Sequence, residues 1–119
     1  MIEDAPDDEL AQRYASTAIT HGEATEPADV ERGNEAAAEI AAIYRELRQR
    51  GAKSQAVLLP FLDHINAHVR GWAAAHALEF VPALGEATLS QLARGKRGMV
   101  RFNAEMTLRE WRAGRLRFP

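Results

Sequence analysis

The carboxy-terminal half of the sequence repeats itself at an interval of 31 residues, and this interval restricts the fold more than any other feature. Shifting the chain by 31 positions brings Val69-Arg70 onto Val100-Arg101 and Phe80 onto Trp111. The other matched pairs are Ala56 with Ala87, Leu58 with Leu89, Phe61 with Leu92, and Ala73 with Ala104. An interval of this length, with apolar residues at helical spacing, is typical of stacked helical hairpins. The pattern therefore predicts two helix pairs between residues 54 and 112.

The composition favours helices in the rest of the chain as well. The 119 residues include 23 Ala and 11 Leu but 5 Val and 5 Ile, and alanine is the strongest helix former. Before the repeat, Ile40, Tyr44 and Leu47 form one apolar stripe of a helix predicted over roughly 27–50, which Gly51 ends. We therefore predict an all-α fold. The absence of cysteine excludes a disulfide framework, a thiolate zinc site and a cysteine nucleophile.

The first copy of the repeat resembles a known sequence family. The run Leu58–His64, followed by Val69–Leu78, is similar to a HEAT repeat. In that family the first helix ends in an Asp-containing turn, and the second helix opens with a Val-Arg pair and continues through alanines. The second copy keeps Val100-Arg101 but has Arg94 at the position of the turn Asp.

Over its whole length the chain also resembles a small bacterial single-domain family of unknown function, the DUF2019 type. In that family two leading helices end in a run like Glu46-Leu47-Arg48-Gln49-Arg50 and precede HEAT-like pairs. The resemblance implies a single domain over 1–119 that forms a short right-handed α-α superhelix. Two leading helices (1–51) would precede two HEAT-like hairpins (54–112) and a tail (113–119). It implies no activity.

Charge is divided unevenly along the chain. Residues 1–60 carry 12 acidic and 6 basic side chains, and residues 61–119 carry 5 acidic and 9 basic ones. The basic segment 94–119 makes nucleic-acid binding a candidate function, but the sequence pI of about 6.1 argues against it. No apolar run approaches the length of a membrane span, and the start, Met1-Ile2-Glu3-Asp4, is acidic where a secretory signal is basic. We therefore expect a cytoplasmic protein that does not contact a membrane.

Three residues of the repeat are candidates for a structural role. By the HEAT resemblance, Arg70 pairs with the turn residue Asp63 or caps a neighbouring carbonyl, and Arg101 is its counterpart in the second copy. The histidines His64, His68 and His76 could share one helix face, but they lack a zinc-binding signature. No phosphate-binding loop or nucleophile motif occurs either. We expect no catalytic residue, no cofactor and no metal.

The register of the repeat indicates a candidate binding stripe. If Val69, Ala73, Ala77 and Phe80 are buried, His68, Trp72 and Glu79 lie on the adjacent stripe of the same helix. Their counterparts in the second copy are Met99, Asn103, Met106 and Glu110. Trp and Met flanked by charged side chains are typical of protein-binding surfaces, although Trp72 and Met106 could equally pack inside the fold.

The sequence therefore favours a small protein-interaction module without catalysis, present as a monomer or weak homodimer. Two narrower or different functions stay open. One is an immunity or antitoxin-like inhibitor that covers the active site of a partner toxin. The other is a nucleic-acid-binding protein that uses the basic carboxy-terminal segment.

Overall fold

The computed structural model describes residues 1–24 and 29–119, and throughout these ranges the regular structure is helical, with no strand. This confirms the all-α prediction. The α-helices are α1 (Asp7–Glu23), α2 (Val30–Arg50), α3 (Ala52–Gln55), α4 (Ala67–Phe80), α5 (Pro82–Ala93) and α6 (Met99–Arg112). In the described ranges, 3-10 helices also cover Ile2–Asp4 and Ala56–Asp63. The start predicted for the second helix near Pro27 lies outside the described residues.

The chain divides into two compact units. The amino-terminal unit comprises residues 1–58 together with Pro119, and the carboxy-terminal unit comprises residues 59–118. No helix in the described ranges is both long and apolar enough to cross a membrane.

The amino-terminal unit is built on the antiparallel pair α1 and α2. Arg13 near the start of α1 bonds Glu39 in the middle of α2, and Glu23 at the end of α1 pairs with Arg32 near the start of α2. Carboxylates in the first turn of α1 favour the helix start because they face its positive dipole end. The side chains of these two helices that are fully buried are Leu10, Tyr14, Ala18, Ile40, Ile43, Tyr44 and Leu47.

Arg50, at the end of α2, connects the separate segments of this unit. Its guanidinium bonds Glu46 Oε2 and Asp7 Oδ1, both at 2.8 Å, and also reaches the carbonyl of Ile2 at 3.2 Å. The second oxygen of Asp7 accepts a hydrogen bond from Ser54 Oγ at 2.7 Å. Hydrogen bonds from Ser54 and Arg50 lower the pKa of Asp7 below its ordinary value. The start of α1, the end of α2 and α3 are thus held by one charged network.

The carboxy-terminal unit consists of α4, α5 and α6, and each helix runs antiparallel to the next in sequence. The Cα of Gly71 in the first half of α4 faces Leu92 near the end of α5, whereas Gly85 near the start of α5 faces Ala74 and Leu78. Arg112 at the end of α6 reaches Glu86 near the start of α5 at 3.3 Å. The core of this unit is formed by Ala74, Leu78, Leu89, Leu92, Ala104 and Leu108, and Leu116 and Phe118 of the tail pack against it.

The two copies of the repeat have the same second helix but different first helices. Helices α4 and α6 are each 14 residues long. The second copy opens with the regular helix α5, whereas the first copy opens with the short α3 and the 3-10 helix Ala56–Asp63. Pro60 lies inside this 3-10 helix, and it has no N–H to donate and disfavours α conformation at Leu59. The proline accounts for the difference between the copies.

Candidate functional site

Both interhelical turns of the repeat lie at one end of the carboxy-terminal unit. The turn 64–66 precedes α4, and the turn 94–98 joins α5 to α6. Because α4 is antiparallel to α5 and α5 to α6, the start of α4, the end of α5 and the start of α6 are at the same end. We call the exposed side chains there the turn end; they are Ile65, Arg94, Lys96, Arg97, Met99 and Phe102.

Two arginines of the repeat fix the shape of these turns through main-chain contacts. Arg70 Nη1 donates to the carbonyl oxygens of His64 at 2.6 Å and of Ile65 at 3.1 Å. Arg101 Nη1 donates to the carbonyl oxygen of Gly95 at 3.4 Å, and its Nε bonds Glu105 at 3.1 Å. His64 and Gly95 are themselves 31 residues apart, so the two copies use the same contact.

Of the two structural roles considered for Arg70, its contacts support the second: it bonds turn carbonyls, and Asp63 is exposed.

The two turns differ at the helix starts that follow them. Asn66 Oδ1 accepts from the N–H groups of His68 and Val69 and so caps α4. The corresponding start of α6 follows Gly98, at φ 150°, which has no side chain to cap the helix. The uncapped first-turn N–H groups add to the positive potential of the cations there.

Three large apolar side chains of the turn end face solvent. Ile65 is 94% exposed, Phe102 is 55% exposed and Met99 is 50% exposed. Isolated apolar residues on a surface are ordinary, but three exposed at one end of a small helical unit, two of them one helical turn apart on α6, are of the kind found at interaction sites.

The cations of the turn end have no side-chain partner among residues 1–24 and 29–119. Arg94, Lys96 and Arg97 are exposed, and within the described ranges none of them makes a side-chain hydrogen bond or an ion pair. Arg112 and Arg115 differ, because Arg112 pairs with Glu86 and Arg115 pairs with Glu110, whereas Arg109 and Arg117 are exposed like the cations of the turn end. The basic charge of segment 94–119 is therefore partly paired within α6 and the tail, and its densest exposed group, three cations within four residues, lies at the turn end.

The stripe predicted from the repeat register is only partly exposed. Met99, Asn103 and Glu79 are exposed, whereas His68, Trp72 and Met106 are half-buried. The Trp72 ring lies 6.0 Å from the ring of His76, which is buried. Burial also lowers the pKa of His68.

Glu110, the last residue of that stripe, is bound within the fold. Its carboxylate accepts hydrogen bonds from Arg115 at 2.9 and 3.2 Å, which lower its pKa.

Met99 is the one residue of the predicted stripe that belongs to the turn end. Ile65 and Phe102 are not among the binding residues that the sequence predicts. A usable signal was present, because the 31-residue shift places Ile65 on Lys96 and so puts an apolar residue at a turn position.

The histidines considered as metal ligands have other surroundings. His64 Nδ1 accepts a hydrogen bond from the N–H of Asn66 at 2.9 Å. The His64 ring lies edge-on to the ring of Phe61, with 5.8 Å between the ring centroids. Among the described residues, no three His, Asp or Glu side chains are grouped so that they could hold a metal ion.

The amino-terminal unit contains an open polar groove of about 380 Å³ between α1 and α2. Its lining residues are Ser16, Thr17, Thr20, Arg32, Glu35, Ala36 and Glu39. Glu39 accepts hydrogen bonds from Arg13 and Thr17, both at 2.8 Å, and these bonds lower its pKa. This carboxylate of the groove lining therefore joins the two helices.

Comparisons with known proteins agree with this architecture without supplying an activity. A family model described as "Domain of unknown function (DUF2019)" matches residues 8–111. The chain is also similar to the crystal structure of the protein RPA1889 from Rhodopseudomonas palustris CGA009, with a TM-score of 0.91 and 21% identity. That alignment covers 100% of this chain and 98% of the other, and it shows the shared fold. No functionally curated protein matches the chain.

Proposed function

The chain belongs to the DUF2019 family, to which no function is assigned, and we propose that this member is a protein-interaction module without catalysis that binds its partner through the turn end. The observation that carries the proposal is the exposure of Ile65, Met99 and Phe102 at one end of the carboxy-terminal unit. Large apolar side chains of this kind act as anchors in protein interfaces.

The scaffold beneath these anchors favours binding. The turns are tied to the helices by Arg70 and Arg101 through main-chain carbonyls. A backbone that is held before binding loses less entropy on binding, so these turn contacts support affinity. The three carboxylates with lowered pKa values, Asp7, Glu39 and Glu110, are each engaged in structural ion pairs.

Site-specific photo-crosslinking tests this function. A benzophenone amino acid replaces Phe102, and in a matched control it replaces Ala83, which is exposed near the start of α5 at the opposite end of the same unit. In the cytosol of the organism that encodes the chain, we expect position 102 to give one discrete protein adduct and position 83 to give none.

Competition decides whether the adduct is specific. Excess unmodified protein should abolish the adduct at position 102, whereas the same excess of a Phe102→Asp protein should not. A diffuse or non-saturable product, or equal competition by both proteins, would refute binding through the turn end. A nuclease-sensitive adduct would instead favour the nucleic-acid function, and an adduct with a toxin would identify the module as an inhibitor.

A further inference from the structure

We infer that the partner presents an acidic protein segment to the turn end, with apolar side chains that contact Phe102 and Met99 and carboxylates that face Arg94, Lys96 and Arg97. This inference rests on the proposed function and adds the chemistry of the partner. It begins from the three cations, which are exposed and have no side-chain partner in the described part of the chain.

The balance of charge at this surface is positive. Asp63 is the carboxylate that directly precedes the first turn, and its single negative charge compares with the three positive charges of Arg94, Lys96 and Arg97. The other nearby carboxylate, Glu105, is bonded to Arg101. Complementary charge steers association and selects partners, so a basic surface with unpaired cations fits an acidic one.

The arrangement of apolar and charged groups at the turn end favours a protein over a nucleic acid as the partner. Arg94, Lys96 and Arg97 share one short turn, whereas the later arginines of α6 and the tail are spaced apart along the chain, and two of them, Arg112 and Arg115, are paired with Glu86 and Glu110. A nucleic-acid backbone needs cations spread along a groove or stripe, and the pI of about 6.1 is far below the usual value for such proteins. Ile65, at 94% exposure, adds an aliphatic contact, which suits a protein side chain better than a base.

Synthetic probes test this chemistry directly. The first probe is a labelled amphipathic helical peptide that carries Glu on one face and Leu and Phe on the other. The comparison probes are the same peptide with Lys in place of Glu, a single-stranded oligo-dT and phosphatidylglycerol vesicles. We expect the Glu peptide alone to bind the full chain, and its binding should shift the amide NMR signals of residues 65, 94–99 and 102.

Two variants of equal net charge test the residues. The triple substitution Arg94→Gln, Lys96→Gln and Arg97→Gln should weaken binding of the Glu peptide about tenfold, as expected for three exposed ion pairs. The control substitutions Lys53→Gln, Arg109→Gln and Arg117→Gln remove three exposed cations elsewhere and should leave binding unchanged. Raising the salt concentration should weaken only the binding that depends on the turn-end cations.

The outcomes distinguish this inference from the function on which it rests. Failure of the Glu peptide to bind, equal binding of the Lys peptide, or stronger binding of oligo-dT or vesicles would overturn the acidic partner. The inference also fails if the crosslinked adduct at position 102 forms equally well with the triple variant. In that case protein binding through the turn end would stand, whereas loss of any saturable adduct would remove both.

Discussion

Among the glycines whose surroundings the structure describes, Gly85 is the one where an added methyl group would meet the closest backbone contacts. A Cβ at this position would lie 2.7 Å from the carbonyl oxygen of Ala74, 2.8 Å from the amide nitrogen of Leu78 and 3.1 Å from the carbonyl carbon of Ala77. All three atoms belong to the backbone of α4, so no side-chain rotation can relieve the contact. The close approach of α5 to α4 depends on the missing side chain.

The expected cost of Gly85→Ala follows from these distances. Ordinary contacts begin near 3.4 Å, so the two helices would have to separate by about 0.7 Å across a close-packed core. Overpacking of this kind costs about 1–3 kcal/mol or somewhat more, and the better helix propensity of alanine returns about 1 kcal/mol. We expect a net loss of about 1–2 kcal/mol in the free energy of unfolding.

Gly71→Ala provides the matched control in the same unit. A Cβ at Gly71 would meet only Leu92 Cδ1, at 3.9 Å, which is an ordinary contact. The substitution should therefore stabilise the protein by about 0.5–1 kcal/mol through helix propensity and the lower entropy of the unfolded chain.

Urea unfolding followed by circular dichroism at 222 nm measures both effects. With a typical urea dependence for a chain of this size, the midpoint should fall by about 1 M for Gly85→Ala and rise slightly for Gly71→Ala. If Gly85→Ala is as stable as the parent protein while Gly71→Ala behaves as expected, the close packing of α4 on α5 is wrong.

Three further predictions concern the ends of helices and the response to pH. Arg70→Ala should destabilise the protein by about 1–2 kcal/mol. The effect should exceed that of Arg101→Ala, because the carbonyl contact of Arg70 is shorter, at 2.6 Å against 3.4 Å for Arg101. Equal effects of the two substitutions in thermal unfolding would contradict this order. Asn66→Ala removes the cap of α4 and should cost about 1 kcal/mol, whereas Asn66→Asp should restore most of it; a fully stable alanine variant would argue against the cap. The carboxylates of Asp7 and Glu39 have folded pKa values below their ordinary values of 3.8 and 4.5, so the stability they contribute is present above those values and is lost as the pH falls further. The urea concentration at the unfolding midpoint should therefore decrease once the pH is lowered beneath about 4.5. In Asp7→Asn this decrease should be smaller at the acidic end of the range. If the dependence of the midpoint on pH is the same in that variant, Asp7 does not contribute to it.

The sequence predicts the helical class and the buried face of the repeat because both depend on local spacing. Val69, Ala73 and Ala77 were expected to be buried, and their exposed fractions of 0%, 0% and 1% confirm this. Phe80, expected with them, is half-buried at the end of α4. The periodicity did not indicate the 3-10 helix over Ala56–Asp63, since apolar residues continue through it while Pro60 changes the backbone.

The candidate site was harder to predict because it depends on pairing over long sequence distances. The basic character of segment 94–119 is visible in the sequence, but which cations remain unpaired is not. Arg112 is neutralised by Glu86, 26 positions earlier, through the antiparallel packing of α5 and α6. The exposure of Ile65 and Phe102 likewise depends on how the turns sit at the helix ends, which residue spacing does not specify.

The contacts of Arg70 and Arg101 have a consequence for how such a protein diverges. Both arginines hold their turns through carbonyl oxygens, which every amino acid possesses. The exposed side chain at position 65 can therefore change without loss of the contact that shapes the turn. A lineage that keeps the two arginines can exchange the residues displayed there and acquire new binding preferences on an unaltered frame.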